Sequence, residues 1–484
     1  MFWLLCCGDK KMNNTIFDIA IIGSGLCGIC IADGIDTKKY KVCLIESGGY
    51  DESSNLHDYQ KEGNPEGIQT ISSYQFGGGH NVWHGLLAKM DASEIDENLW
   101  NINAKEFEKY NELAEKYLGL DSQLKKLSES VTREELSAFG LSEQDYKIFH
   151  QVKVKIDKNK KLNQLKNKNI TVFLNTTVIK IKKENELYVV FEDSEKKIYS
   201  KEIILAANPI YNSAILLRSE SLKIDESIQN IGKNLSDHPM GVIGKMEFRN
   251  MTKFPLSFIR KKLNKNYLKV GFLIKDEVAQ LNHTFYLVPT LEKHFNKSNS
   301  SLRAKLISIR DTGLSLRLIF ELLKNINILM FIMAYKFGIM PKTKYVDLLV
   351  VSEQNLDIAN CVSIGDDGKV KKLWKFDDLL LESISRSSIL LQNKFNKILP
   401  VKNINILKKE EMSKALTSAA HLCCTTSINS SEMNGVVDGN FKILGSEMIY
   451  IMGASVFPVA TSLNTTLTAI ALSIKLIEHI NNKK

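Results

Sequence analysis

The sequence predicts an α/β fold built on a parallel sheet. An apolar run at 17–22 leads through a glycine loop into a helical stretch, and a second apolar run follows at 41–46. Short apolar runs of this kind are typical of strands that are buried on both faces of a sheet. Further strand signals lie between 170 and 207, and the region from about 241 to 400 alternates strands with helical stretches. Together these patterns predict two structural units.

The composition is that of an ordinary globular protein. Of 484 residues, 44% are hydrophobic and 25% are charged, and the net charge is +9. The basic residues are mostly lysines spread along the chain, without the arginine-containing stripe that is typical of nucleic-acid binding. We therefore expect no nucleic-acid partner. We interpret the charge as a lysine-rich surface or as attraction to an anionic membrane or substrate.

The cysteines show neither a disulfide framework nor a zinc-binding spacing, so we expect no metal site and a reducing, cytoplasmic location. Cys27-x-x-Cys30 has the spacing of a redox pair, but it lies in a glycine fingerprint where small residues favour packing of a helix on a strand. Residues 1–13 are expected to form a disordered leader. An upstream start extension, or a lipid anchor at Cys6 or Cys7, would account for it.

The first glycine loop has the spacing G-x-G-x-x-G and lies between a strand and a helix. In this context Gly23 allows a tight turn, Gly25 lets a pyrophosphate approach the backbone, and Gly28 lets the helix pack on the strand. Ser24 lies within the loop, and the amides at the helix start face the phosphates. Glu46 ends the next strand, where a carboxylate accepts hydrogen bonds from an adenosine ribose. The motif therefore predicts a dinucleotide site.

Further motifs follow along the chain. A second glycine-rich loop at 76–85 contains three consecutive glycines, which suit a loop lying close to a flat ligand. The remaining motifs are, in chain order, a strand and turn at 203–217, G-x-N-L-x-D-H-P at 232–239, Glu353-Gln354, Gly435-Val-Val-Asp438, an apolar run at 448–458, and Ser462-Leu-Asn-Thr-Thr466 before a last helix.

These motifs, in this order, resemble those of the glucose–methanol–choline (GMC) family of flavoprotein oxidoreductases. The resemblance implies FAD in a Rossmann-like domain that is discontinuous in sequence, at 14–240 and 401–484. It also implies a substrate-binding domain at 241–400 with a mainly antiparallel sheet and covering helices. The stretch from 241 to 345 is poorly covered by the resemblance.

The resemblance also implies which residues hold FAD. Besides the first glycine loop and Glu46, they are Gly78, Gly79, Asn81, Val82, Val178, Asp438, Gly453, Ala454, Thr465 and Thr466. Some family members link FAD covalently to a histidine of the second loop. The matching position here is Val82, so we predict non-covalent FAD. His80 and His84 stand where small residues are usual, and they either contact an anionic substrate or fill space.

The catalytic pair of the family is a histidine followed by a histidine or an asparagine, and His421 and Asn464 match it, 43 positions apart. A neutral imidazole can remove a hydroxyl proton as general base, and the amide of Asn464 can hold the hydroxyl oxygen. The helix that begins after Asn464 would turn its positive end toward negative charge on the flavin. Two positions depart from the family pattern: Cys424 stands where glycine is usual, and Thr465 where proline is usual.

The resemblance implies an alcohol oxidase or dehydrogenase in which hydride passes to flavin N5 and the electrons pass on to oxygen, a quinone or a protein. A sugar or glycan is the favoured alcohol, and a sterol or other lipid alcohol is the alternative. A non-redox lyase of the same family, or a flavin-binding protein without catalysis, would carry the same motifs. The apolar stretch 314–340 is interpreted as helices covering the substrate or as an interfacial helix in peripheral contact with a membrane. The sequence does not predict an oligomeric state.

Overall fold

A computed structural model describes most of the chain. The residues described are 15–51, 59–65, 73–91, 94–120, 122–152, 156–184, 187–192, 197–219, 222, 229–253, 256–258, 261–263, 266–290, 342–430, 434–446 and 448–483. The predictions made for the leader at 1–13, with Cys6 and Cys7, and for the stretch 314–340 lie outside these residues.

The strands of the described residues belong to three sheets. In chain order they are β1 (Ile16–Ile22), β2 (Val42–Ile45), β3 (Gln60–Gly63), β4 (Leu86–Leu87), β5 (Tyr146–Gln151), β6 (Thr171–Phe173), β7 (Val178–Glu184), β8 (Leu187–Glu192), β9 (Lys197–Leu205), β10 (Pro239–Thr252), β11 (Lys261–Leu263), β12 (Asn266–Asp276), β13 (Leu281–Thr290), β14 (Thr343–Ser352), β15 (Cys361–Ile364), β16 (Val370–Trp374), β17 (Val401–Ile406), β18 (Thr417–Ser418) and β19 (Ile449–Ile451).

Several of the helices begin at a side chain that accepts hydrogen bonds from the first turn. Asp96, Asn103 and Asp377 are such N-caps, and each satisfies amides that the helix itself leaves without partners. The α-helices of the described residues are, in chain order, α1 (Leu26–Gly34), α2 (Glu97–Trp100), α3 (Ala104–Tyr117), α4 (Ser122–Ala138), α5 (Lys158–Asn167), α6 (Asn208–Leu217), α7 (Asp378–Phe395), α8 (Lys409–Ala415) and α9 (Thr465–Asn481).

The first sheet is parallel at its centre. Among the described strands its order is β6-β2-β1-β9-β8-β7, with β19 beside the end of β9. Strand β1 pairs in parallel with β2 and β9, whereas β7, β8 and β9 form an antiparallel meander. Strand β1 is buried from Ile19 to Ile22, because helices and loops cover both faces of the sheet there. The predicted parallel sheet is therefore confirmed.

The last helix, α9, packs on α1 and α3. Gly34 at the end of α1 leaves room for Ile477, whose Cδ1 would lie 2.6 Å from a Cβ at that position. The side chain of Asn481 accepts a hydrogen bond from the Asp36 amide (2.9 Å) and donates one to the Gly34 carbonyl (3.0 Å). The two ends of the described chain thus pack into one layered unit.

The second sheet is antiparallel. Its order among the described strands is β17-β10-β14-β13-β12-β5-β4, with β11 beside β12 and β18 beside β10. Helix α7 covers it, and Phe395 of this helix meets Phe272 of β12 edge to face at 4.9 Å between ring centroids. The predicted mainly antiparallel sheet with a covering helix is confirmed. Strands β4, β5, β17 and β18 join it from outside 241–400, so the sheet draws on more of the chain than that range.

Cys27 and Cys30 lie on α1 as free thiols rather than as a disulfide. Burial raises the pKa of Cys27 to about 11 and raises the pKa of Cys30 as well. Neither group is a thiolate at neutral pH, which agrees with a packing role. Within the described ranges, no helix is long and apolar enough to cross a membrane.

Candidate active site

The first glycine loop joins β1 to α1, and its glycines face different surroundings. Gly23 has a φ of +102°, and a Cβ there would lie 2.4 Å from the Ala206 carbonyl oxygen. A Cβ at Gly28 would lie 1.9 Å from the carbonyl oxygen of Gly23, so the helix packs tightly on the turn. A Cβ at Gly25, in contrast, would meet no described atom within 4 Å. The loop is therefore closed at its first and third glycines and open at its second.

Glu46 fixes the loop from the end of β2. Its Oε2 accepts hydrogen bonds from the amide (2.9 Å) and hydroxyl (2.7 Å) of Ser24, and its Oε1 accepts one from the amide of Gly48 (2.8 Å). Burial raises the pKa of this carboxyl group. Ser24 is thus occupied within the protein, while Glu46 still borders the adjoining cavity.

A cavity of about 400 Å³ lies at the carboxyl ends of the central parallel strands. This edge of a parallel sheet is where nucleotide ligands bind. Of the predicted cofactor residues, the cavity is lined by Gly23, Gly25, Glu46, Gly78, Gly79 and Val178. Its further lining residues include Ser47, Thr177, Ala207, Tyr211, Arg218 and Lys369.

The second glycine loop packs on the first. The Gly77 amide donates to the Ser24 carbonyl (3.1 Å), and a Cβ at Gly78 would lie 3.0 Å from the Cα of Gly25. Around Gly79, a Cβ would again meet no described atom within 4 Å. The Asn81 amide donates to the carbonyl oxygens of Phe76 (3.1 Å) and Gly78 (2.9 Å), so it shapes its own loop.

Three further residues of this loop are Val82, His80 and His84. The Val82 amide donates to the Gly79 carbonyl and closes the turn at 3.2 Å. His80 is buried, with its ring 4.7 Å from the ring of Trp83. His84 lies near enough to His421 to lower the pKa of that imidazole.

The C-terminal segment contains five further predicted residues, none of which is among the residues that line the cavity at the strand ends. Gly453 has a φ of +116° and space for a Cβ with no described atom within 4 Å, and Ala454 accepts from the Cys424 amide (3.1 Å). Thr465 and Thr466 open α9, where free backbone amides point out of the helix. Asp438 uses its Oδ1 to accept from two amides of its own turn, at 2.8 and 2.9 Å.

The predicted catalytic pair is in contact. Nδ2 of Asn464 lies 3.2 Å from Nε2 of His421. Asn464 is the N-cap residue of α9, and its side chain makes no capping bond among the described residues, so the amide points to the histidine. Burial and, secondarily, the charge on His84 lower the pKa of His421 to about 4. The imidazole is therefore neutral at physiological pH.

A buried carboxylate, Asp237, positions the backbone of His421. Its Oδ1 accepts from the amides of His421 (3.0 Å) and His238 (2.6 Å), and its Oδ2 accepts from the hydroxyl of Ser418. Burial raises the pKa of Asp237. The motif at 232–239 contains this residue, but sequence reasoning assigned it no role, because its partner lies 184 positions further on.

A second carboxylate, Glu353, holds the segment before Asn464. It accepts from the amide of Ser462 (3.1 Å) and from the amide (2.7 Å) and side chain (2.8 Å) of Asn282 on β13. Burial raises the pKa of Glu353 to about 7. The Glu353-Gln354 motif is the sequence signal for this residue.

The carboxyl-terminal segment of the chain resembles a known protein family. Residues 386–473, which contain His421 and Asn464, match the family model described as GMC oxidoreductase. The carboxyl-terminal part of this chain is a GMC oxidoreductase domain. The fold resembles the crystal structure of pyridoxine 4-oxidase from Mesorbium loti, with a TM-score of 0.55 at 13% identity over 96% of this chain and 99% of that chain. At that identity the likeness shows the fold. Among curated protein sequences, none matches the chain.

The predicted resemblance to GMC flavoproteins is therefore confirmed. The matched carboxyl-terminal domain indicates an FAD-dependent oxidoreductase enzyme and alcohol-type oxidation–reduction in general. The structure suits FAD, because the backbones of Gly25 and Gly79 are open where they line the cavity at the strand ends, and a side chain at either position would enter that space.

The open space beside Gly25 allows a test of cofactor binding. Gly25 has φ −62° and ψ 176°, a conformation that valine adopts readily. Gly25→Val should therefore fold but exclude FAD, so that the purified protein lacks flavin absorbance while it keeps a cooperative melting transition. Gly28→Val is the contrasting variant, because its side chain would meet the backbone of Gly23 and disrupt the fold itself. A full complement of flavin in Gly25→Val would contradict this placement.

Proposed function

We propose that the protein oxidises the CH–OH group of a small-molecule alcohol, with non-covalent FAD and with His421 as the general base. The contact between Nε2 of His421 and Nδ2 of Asn464, at 3.2 Å, carries this proposal. An alcohol oxygen that takes the place of this contact between the two nitrogens would receive a hydrogen bond from the amide and give its proton to the imidazole.

His421 and Asn464 have different roles in the proposed proton transfer. His421 is neutral because its pKa is low, so Nε2 offers a lone pair for the hydroxyl proton. Asn464 cannot act as a base, but its amide would hold the hydroxyl oxygen beside the histidine. When bound, FAD supplies the acceptor for the hydride that leaves this carbon.

The proposed cofactor contacts follow from the open surfaces. The backbone of Gly25 would hold the pyrophosphate, Glu46 the ribose and Val178 the adenine. The Gly78–Gly79 and Gly453–Ala454 backbones would flank the ring system. The amides of Thr465 and Thr466 at the start of α9 would stabilise negative charge that develops on the reduced ring.

The proposed substrate class is based on the second glycine loop and on a solved structure with a similar fold. The second glycine loop resembles that of sugar-processing family members, so a sugar or glycan is the favoured substrate. A solved structure with a similar fold is a pyridoxine 4-oxidase, so pyridoxine belongs among the alcohols to be tested. A sterol or other lipid alcohol is the alternative, and the acceptor would be oxygen, a quinone or a protein.

Substitution of the proposed base is the direct test of the reaction. His421→Ala should retain FAD but slow the substrate-driven reduction of flavin by roughly 10²–10⁴-fold or more, because a base and a positioning contact are lost together. The measurement is anaerobic flavin bleaching across sugars, pyridoxine, sterols and simple alcohols. His479→Ala is the matched control, since it lies about 22 Å along α9 from Asn464 and should bleach normally.

Two results of this experiment would contradict the proposal. Bleaching of His421→Ala at the normal rate would exclude His421 as the base. Turnover of a substrate while the flavin stays oxidised would identify a lyase instead of an oxidoreductase acting through hydride transfer.

The low pKa of His421 predicts the pH dependence of flavin reduction. Because its pKa is lowered to about 4, the neutral base persists as the pH falls, and the rate should stay on its plateau from pH 8 to about 5. The carboxyl of Glu353, with a pKa of about 7, is the second group that titrates near the site, so Glu353→Gln should be measured in parallel. Stopped-flow bleaching at constant flavin content gives the profile. A half-maximal rate near pH 6.5 in both proteins would be the ordinary histidine value and would contradict the prediction.

Non-covalent attachment has a simple test. Val82 offers no nucleophile, and the ring of His80 is packed against Trp83. Acid precipitation should therefore release the flavin into the supernatant. Flavin absorbance that stays with the precipitate would show a covalent link, and His80→Ala and His84→Ala would then identify the attachment site.

A further inference from the structure

The candidate base has a second histidine behind it. Nδ1 of His421 lies 3.4 Å from Nδ1 of His238, and the two rings meet edge to face with centroids 5.1 Å apart. His238 is fully buried. Its amide donates to Asp237 and its carbonyl accepts from the Ala419 amide (3.0 Å), so its backbone is fixed on both sides.

The hydrogen-bond pattern decides where the proton of each neutral ring lies. A neutral imidazole carries one N–H, and its other nitrogen is an acceptor. Because the Asn464 amide donates to Nε2 of His421, that nitrogen must present its lone pair, and the proton must be on Nδ1. The Nδ1–H then points at Nδ1 of His238, which must accept. The proton of His238 therefore lies on Nε2.

The burial of both rings keeps this arrangement neutral. The pKa of His238 is lowered well below its usual value by burial and by its neighbour His421, and the pKa of His421 is lowered to about 4. Protonation of either ring would place a positive charge in this buried contact. Nε2 of His238 is a buried atom without a hydrogen-bond partner among the described residues, so the ring's one described side-chain hydrogen bond is the one to His421.

We propose that His238 is a positioning residue that accepts the Nδ1–H of His421 and thereby holds the lone pair of the base on Nε2, toward the alcohol. This inference rests on the proposed role of His421 as base. Without the acceptor at His238, the Nδ1–H of His421 would lose its hydrogen-bond partner, so the equilibrium would shift toward the Nε2–H tautomer, which cannot take a proton from a hydroxyl group. The neighbouring Asp237 acts on the backbone of this segment, whereas His238 acts on the ring.

Three substitutions of His238 distinguish a hydrogen-bond acceptor from a side chain that only fills the buried space. Asn places its Oδ1 close to the position of Nδ1, so His238→Asn should keep the acceptor. His238→Gln extends past that position, and His238→Leu fills the space without any acceptor. We expect flavin reduction to fall roughly 10-fold to 100-fold in the Gln and Leu variants, which is less than the loss in His421→Ala, and to recover largely in the Asn variant.

The tautomer of His421 can be observed without turnover. Two-bond proton–nitrogen correlation spectra of ¹⁵N-histidine-labelled holoenzyme distinguish Nδ1–H from Nε2–H, and single variants assign the signals. His421 should be an Nδ1–H tautomer in the wild type and in His238→Asn, and should shift toward Nε2–H in His238→Gln and His238→Leu. Flavin absorbance per protein, which should not change, controls for folding.

The outcomes are distinguishable from failure of the proposed function. An unchanged His421 tautomer in His238→Leu, or a normal rate of flavin reduction in that variant beside a slow His421→Ala, would overturn the role of His238. A normal rate in His421→Ala would overturn the proposed base and with it the positioning role of His238. The spectra would then report the ring pairing alone.

Discussion

The docking of α9 on the first βαβ unit is the constraint on which the rest of the structure depends. It brings the last segment of the described chain onto its first helix, through the packing of Ile477 at Gly34 and the bonds of Asn481 to the end of α1. The same helix begins at Asn464, so its docking also sets the position of one member of the catalytic pair. A shift of α9 along its axis would open the cofactor cradle and separate Asn464 from His421 at the same time.

The side chain of Asn212 joins two loops that follow neighbouring strands of the first sheet. Asn212 of α6 accepts from the Ala207 amide (2.8 Å) and donates to the Met452 carbonyl (3.3 Å) and the Ser455 hydroxyl (3.0 Å). It therefore ties the turn after β9 to the loop after β19. Removing a partner from a buried amide destabilises the folded protein, so these hydrogen bonds hold the two loops together. Gly453 lies in the loop after β19, and a Cβ there would meet no described atom within 4 Å.

Local chemistry predicted much of the fold, because strands, glycine turns and caps are encoded over short stretches. The unit from Phe17 to Glu46 is the clearest case, since each glycine has a distinct steric reason for its place. The joining of β5 to the second sheet could not be predicted, because the pairing of distant strands leaves no local pattern. The same limit applies to the site: the pairing of His421 with Asn464 came from a family resemblance, while the bond of Asp237 to His421 joins segments that no motif connects.

Two side chains that were predicted to hold the cofactor form hydrogen bonds within their own turns. Short polar side chains such as Asn81 and Asp438 satisfy the amides and carbonyls of their own turns, and this local competition is strong in loops. Their role toward a cofactor would be to shape the backbone that touches it. A motif records that a residue type is needed, but it does not record whether the side chain or the turn that it stabilises is the functional part.

The backbone around His421 bears on whether the departures from the family pattern weaken the site. Ala420 and Cys424 both lie in the left-handed region, at φ +64° and +71°, where a side chain costs about 1–2 kcal/mol relative to glycine. Such conformations persist when surrounding bonds fix them, and here the Asp237 carboxylate and the Ala454 carbonyl hold the amides of His421 and Cys424. The turn thus keeps the geometry that glycine would adopt at position 424. The departure at Cys424 changes the energy of the turn rather than its shape, so it does not by itself argue for a protein that has lost catalysis.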